Sequence, residues 1–189
     1  MILGTKALLE LVEREQLVEG LAKRELTNPE GAGFDLRVGR IHAIDGAEGF
    51  LGIHDRSTPS TQMVAQHPPW AWDMETDALF ELFKIKPGEF YLMETIERVN
   101  LPLNLTANLK PRTTTFRCGL NIRTGNVAPG YRGTLTFAVK NEGPADVFVE
   151  MGARIVHIQF EEVMGEASPY RGQWAGGRVS TQGERERQV

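Results

Sequence analysis

Leu103-Asn-Leu-Thr-Ala-Asn-Leu-Lys110 alternates apolar and polar side chains over its whole length. A period of two is what a β-strand with one face on a core requires, because successive side chains leave opposite faces of the pleat. Leu103, Leu105, Ala107 and Leu109 are expected on the core side. Asn104, Thr106, Asn108 and Lys110 are expected on the other, facing either solvent or another subunit. Further strands are predicted close by: Phe90 to Val99 before this stretch, and Gly133 to Asn141, Asp146 to Glu150 and Ala153 to Glu161 after it. Pro87-Gly88, Asn100 to Pro102, Pro129-Gly130, Glu142 to Pro144 and Met151-Gly152 punctuate them as turns. Short strands in quick succession, without alternating helices, predict an all-β sandwich or barrel and disfavour a doubly wound nucleotide fold.

Towards the N-terminus, Gly31 opens a second period-two stretch in which Phe34, Leu36 and Val38 alternate with Asp35 and Arg37, as in a half-buried strand. Before it, Thr5 can cap an amphipathic helix over 5–17 that carries Ala7, Leu8, Leu11 and Val12 on one face. Gly46 to Ala78 shows no period and is read as a flexible insert, a flap or a subunit contact, with Trp70 and Trp72 as anchors against a neighbouring subunit or their own core edge. The expected organisation is a β domain over 1–168 and a C-terminal arm over 169–189. The Gly176-Gly-Arg178-x-Ser-Thr181 run in that arm can fold over a phosphate, since glycines expose backbone amides and Arg178 adds a guanidinium.

The chain has 189 residues, with 21 Lys plus Arg against 25 Asp plus Glu, a net charge of -4. With 41% hydrophobic residues it can build a core, and its balance makes it no electrostatic magnet for nucleic acid. Charges at Lys6, Glu10, Glu13 and Arg14 interrupt the apolar start, so neither a signal-peptide core nor a membrane span is expected. Cys118 is the single cysteine, which fits a reducing compartment, and a cytoplasmic location is expected. One cysteine also excludes the zinc site of cytidine deaminases, so no zinc is expected.

The densest chemistry lies in Pro111-Arg112-Thr113-Thr114-Thr115-Phe116-Arg117-Cys118-Gly119-Leu120. Guanidinium forks and hydroxyl donors are what a polyphosphate requires; the plain alternative is a solvated turn carrying two unrelated arginines.

This segment, followed by Ala128-Pro-Gly-Tyr-Arg-Gly133, Asn141-Glu-Gly-Pro144 and Met151-Gly-Ala-Arg-Ile155, resembles the dCTP deaminase and dUTPase superfamily. In that family Arg-Ser-Ser-x-x-Arg precedes a Gly-Leu, an Asp-Pro-Gly-x-x-Gly turn, an Asn-x-Gly hairpin and a Pro-Gly-x-x-Ile/Leu strand. Upstream, Asp35-Leu-Arg-Val-Gly39 and Pro87-Gly-Glu89 resemble the deaminase branch. The resemblance covers about 30–45 and 83–162, in the family's order. It implies a distorted β-barrel or jelly roll, an active site at the subunit interfaces of a homotrimer, and a deoxynucleoside triphosphate ligand (dCTP, with dUTP or dTTP also open). Magnesium is implied on the phosphates. The implied nucleotide contacts are Arg112, Thr113, Thr114, Arg117, Thr136, Ala138, Tyr170, Gln173 and Arg178. Threonine stands for both serines, which keeps the hydroxyls and stiffens the loop. Pro169 stands where the family has a lysine before Tyr170-Arg-Gly-Gln173.

The acids depart further. Ala128 stands at the dUTPase aspartate, and Ala138 at the deaminase glutamate that activates water at cytosine C4. An alanine orients no water, and losing a positioned base removes about two to four orders of magnitude of rate. Of the remaining carboxylates, Glu94 is the candidate substitute, weighed against a surface or interface role. Glu97 faces the other way along the same strand, and Glu142 and Asp146 flank a hairpin. His42, His54, His67 and His157 have no metal-ligand spacing, and His157 reads as a satisfied sheet residue. Three readings follow: an enzyme converting dCTP to dUTP or hydrolysing dUTP, with a displaced base; a nucleotide-binding sensor on the same trimer; and a structural trimer.

Overall fold

The computed structural model describes residues 1–46, 48–71 and 80–188, and of Trp70 the backbone alone. In chain order its first half carries α1 (Thr5–Glu15), β1 (Val18–Glu19), α2 (Lys23–Thr27), β2 (Phe34–Asp45), β3 (Phe50–Leu51), β4 (Asp55–Ser57), β5 (Ser60–Gln66), a single 3₁₀ turn (Pro69–Ala71), β6 (Leu82–Ile85) and β7 (Phe90–Asn100). There follow β8 (Leu105–Pro111), α3 (Thr113–Arg117), β9 (Leu120–Arg123), β10 (Asn126–Val127), β11 (Arg132–Asn141), β12 (Val147–Glu150), β13 (Arg154–Glu162) and β14 (Glu186–Arg187).

Seven strands run in the order β10-β8-β13-β2-β7-β11-β9, with β1 against β7 and β5 against β2. Every pairing is antiparallel. The sheet curls because β2 changes partner midway. Its first residues pair with β13, up to Arg37 opposite Arg154, and from Val38 it pairs with β7. Register shifts on both sides mark this corner. Gly39 sits in it, where a Cβ would lie 3.0 Å from the backbone nitrogen of Ile96. Only a residue without a side chain allows β2 and β7 to approach so closely there.

The curl encloses one core. Phe34 and Leu36 from β2, Ile158 and Phe160 from β13, Leu105 and Ala107 from β8, Met93 from β7 and Val139 from β11 are all buried. Each large apolar side chain among them contributes about 1.5–3 kcal/mol by leaving water. Phe34 and Phe160 meet edge to face, with centroids 6.4 Å apart. Helix α1 adds Leu8. Buried Asn141 ends β11 by donating to the carbonyls of Ile85 (2.9 Å) and Ala145 (2.8 Å) while its Oδ1 accepts from the Gly143 N–H. That is the physical content of the Asn-x-Gly motif: one amide closes the hairpin and ties it to β6.

Several local expectations need correction. Thr5 is the first residue of α1 and caps nothing; Gly4 is the N-cap, without a side-chain bond. The helix stops at Glu15 because Gln16 turns left-handed and its N–H bonds back to Leu11 and Val12. Leu103 is 51% exposed, in the turn before β8. Asp35 and Arg37 are buried with their apolar neighbours, since β2 has an element on each face. The stretch from Gly46, read as loop, contains β3, β4 and β5. Leu51 of β3 and Ile53 in the turn after it face solvent, so backbone pairing without a buried face makes β3, and no period marks it. Trp72 and the side chain of Trp70 lie outside the described residues.

Candidate functional site

A cavity of about 410 Å³ lies between the two outer strands of the curled sheet. β10 supplies Asn126 and Val127 and the turn after it Ala128; β9 supplies Arg123; β8 supplies Leu109; β7 supplies Leu92. From β11 come Thr136 and Ala138, and Ala138 lies opposite Leu92 on one side and Arg123 on the other. Residues from 170–179 complete the wall. Tyr170, Trp174, Arg178 and Val179 close over the cavity together with Thr58. No carboxylate lines it among the described residues.

Close backbone approach holds this tail in place. The Tyr170 N–H donates to the Pro129 carbonyl (2.8 Å) and the Gly176 N–H to that of Arg132 (2.8 Å). Gly133 and Gly176 form a parallel bridge. A Cβ on Gly133 would lie 2.5 Å from the Gly176 carbonyl carbon, and one on Gly177 would run into the Thr134 hydroxyl. Both glycines have positive φ, +142° and +92°, conformations that a side chain disfavours. The Tyr170 ring stands edge-on to Tyr131, 5.2 Å between centroids. Burial above all, with Tyr170 adding to it, pushes the Tyr131 phenol up to about 12, and its hydroxyl donates to the Thr134 carbonyl (2.6 Å). Tyr131 is therefore neutral at physiological pH.

Of the residues singled out in the sequence, Ala128, Thr136, Ala138, Tyr170 and Arg178 meet at this cavity. Gln173 does not line it, but shares a carboxylate with Arg178: Glu186 accepts from Gln173 Nε2 (3.1 Å) and pairs with Arg178 (2.5 Å). Arg112, Thr113, Thr114 and Arg117 stand elsewhere. Arg112 precedes the short helix α3, and its Nε pairs with Asp35 (2.8 Å). Arg112 and Thr114 line a shallow recess with Phe148 and Arg154. Arg117 is exposed beside the Phe116 ring, and Thr113 is exposed. Thr115, between them, is spent on the Ile155 carbonyl (3.1 Å). One chain thus carries the two groups of candidate residues at separate places.

Asp35 organises the second group. Besides Arg112 it accepts from Arg154 (3.4 Å) and pairs with His157 (3.0 Å). Burial alone would raise its carboxyl, but the His157 hydrogen bond and the charges of Arg112 and Arg154 outweigh that, and its pKa falls below the ordinary value. His157 is the partnered sheet residue its alternation suggested.

Glu94 is not on the surface: it is 4% exposed and does not line the cavity. Its carboxylate pairs with Arg40 (3.0 Å), sits 3.4 Å from His42, and accepts from the Thr134 hydroxyl (2.7 Å). Burial opposes its ionisation, yet the bonds from His42 and Thr134 and the Arg40 charge prevail and lower its pKa. A carboxylate so occupied is a poor base. Glu97 is fully buried against Arg37 (2.7 Å), and burial pushes its carboxyl up.

Residues 2–163 match the sequence profile of dCTP deaminase-like proteins. The chain belongs to that family. It is 28% identical over 177 residues to a dCTP deaminase of Thermococcus kodakarensis, covering 93% of this chain and 96% of the relative. It is also 30% identical over 144 residues to a probable deoxyuridine 5'-triphosphate nucleotidohydrolase of Methanothermobacter thermautotrophicus, covering 75% and 85% respectively. The crystal structure of the 2'-deoxycytidine 5'-triphosphate deaminase from Agrobacterium tumefaciens superposes with a TM-score of 0.61 at 20% identity, which establishes a shared fold. That superposition covers 84% of this chain and 47% of the other, so the chain spans about half the length of that structure. The expected β-rich fold of this family and the placement in a nucleotide-metabolism family therefore hold. The tail that closes the cavity lies beyond the residues matched to the family.

Sequence reasoning missed Thr58, Arg123, Trp174, Val179 and Glu186. Thr58 sits in the stretch without a period, and Glu186 in a terminal Glu-Arg-Glu-Arg run that looks like solvated charge. Neither carries a signal that pattern reading detects.

Proposed function

We propose that this protein binds a deoxynucleoside triphosphate of the dCTP, dUTP or dTTP class in the cavity under its tail and holds it without deamination or phosphate hydrolysis. The observation that carries this reading is that Ala128 and Ala138 both line the cavity and no carboxylate does. Water there has no group to take its proton. Leu92, Val127, Tyr131 and Phe137 offer an apolar wall for a pyrimidine ring, and Arg123 and Arg178 supply positive charge beside it.

The hydroxyl and guanidinium groups of Arg112, Thr113, Thr114 and Arg117 are the triphosphate-binding element of the same site, supplied by a second protomer of a homotrimer. Their separation from the cavity within one chain supports that arrangement. Guanidinium forks on phosphate oxygens are charge-assisted and directional, so this element sets the register of the ligand. The donor set, without a carboxylate, fits a magnesium ion carried by the nucleotide's own phosphates and water and not one held by the chain. A cytoplasmic protein of this kind acts as a sensor or regulator of deoxynucleotide levels.

Calorimetric titration with dCTP, dUTP and dTTP in magnesium, together with product analysis, tests this reading. Binding heat without uridine nucleotide from dCTP or pyrophosphate from dUTP is the expected result. Turnover would overturn it in favour of a catalytic reading in which Glu94 leaves Arg40 to serve as base, and Glu94→Gln would then abolish that turnover. Absence of both heat and thermal shift would overturn nucleotide binding itself.

A further inference from the structure

The tail already holds an anion of its own. Glu186 receives two donors at once: Arg178 Nη2 at 2.5 Å on one carboxylate oxygen and Gln173 Nε2 at 3.1 Å on the other. A phosphate presents the same pair of acceptor oxygens to a guanidinium and an amide. Arg178 lines the cavity, so the group that Glu186 engages is the one a bound anion would meet. Resting on the nucleotide-binding reading above, we infer that Glu186 is an internal competitor that occupies Arg178 and Gln173 until a ligand phosphate displaces it.

The surroundings allow that exchange without loss of the tail. Backbone contacts fasten it at several other points: Tyr170 to Pro129, Gly176 to Arg132, and Gly183 to the Thr58 carbonyl (3.0 Å). The Thr181 N–H also donates to the Thr58 hydroxyl (2.9 Å), and β14 pairs with β4. Arg178 keeps a second anchor, its Nε donating to the Ser180 carbonyl at 3.0 Å, which holds the guanidinium plane in place while its Nη groups exchange one acceptor for another. The Arg178 and Glu186 side chains are 38% and 28% exposed, so their attraction is screened by water and weak enough for a triphosphate to replace. The consequence is a threshold: the site discriminates against weakly charged ligands because each must first outbid a carboxylate.

The test is calorimetry on the full chain and its Glu186→Gln variant, titrated with dCTP in magnesium and separately with inorganic tripolyphosphate, repeated in an Arg178→Ala background. Glu186→Gln is expected to tighten both ligands about two- to fivefold, the range set by a half-exposed charge pair, with the gain vanishing when Arg178 is absent. If the parent chain binds and Glu186→Gln binds equally well or more weakly, the competition is overturned while nucleotide binding stands. If neither chain binds either ligand, the nucleotide reading fails and the competition falls with it.

Discussion

At Ala138 the proposed lack of a base can be tested by adding a carboxylate. Its neighbours Leu92 and Arg123 are placed by backbone register, so a longer side chain would enter the cavity and not the core. Ala138→Glu is expected to create dCTP deamination where the parent shows none, with uridine nucleotide formation as the measure; a positioned base is worth about two to four orders of magnitude. Asp35 makes a different prediction. Its depressed pKa means that the ionised form stabilises the fold, fully above the unfolded value near 3.9 and progressively less as pH falls through the folded value. Asp35→Asn should cost about 2–3 kcal/mol at pH 7, because Arg112 and Arg154 lose their counter-charge. Denaturant titrations should show that difference shrinking below about pH 4. The place of Ala138 on β11 was legible because from Thr136 to Lys140 the strand keeps one unbroken register against β7. The burial of Asp35 was not, because its three partners lie far along the chain, and alternation within one strand carries no trace of them.

At the scale of elements, the contact between the tail and β11 depends on the absence of side chains at Gly133 and Gly177. Gly177→Ala would place a methyl on Thr134 and strain a left-handed backbone. The tail should detach while the curled sheet persists: limited proteolysis should cut within 170–188 much faster, nucleotide affinity should fall by about tenfold or more, and the thermal midpoint should move by only a few degrees. Strand prediction succeeded where apolar residues alternate along a buried face, as in β8, β11 and β13, and also in β7, which is buried on both faces at its centre. It failed for β3 and β4, which are held by ladder bonds to each other and to β14; β3 exposes Phe50 and Leu51, and β4 carries no apolar side chain. Periodicity reports burial, and an exposed hairpin has none to report.

For the whole molecule, the separation of the Arg112–Arg117 segment from the cavity sets the expectation. Light scattering should find a particle three times the 21.1 kDa chain. Arg117→Ala should weaken triphosphate binding by about 1.5–3 kcal/mol, as for a charge-assisted hydrogen bond, with that assembly intact. A monomer, or unchanged affinity, would disconnect the two groups. The family and its sheet were readable from ordered motifs spread over the chain, because each marks a turn or a strand end with its own steric demand. Of the tail, Tyr170 and Arg178 were readable as ligand contacts, whereas Trp174, Val179 and Glu186 were not, since glycines and charges read alike in a docked segment and a loose one.

The clasp between Thr181 and Thr58 joins residues 123 positions apart, and β14 is the last element in chain order. During synthesis, then, β4 leaves the ribosome long before its second neighbour exists. Until that neighbour arrives one edge of β4 is unpaired while Leu51 and Ile53 of the same hairpin face solvent, a period of vulnerability to association with other nascent chains. A chain lacking residues 170–179 would keep its curled sheet and leave the cavity open, so the binding site matures only once that late segment has docked.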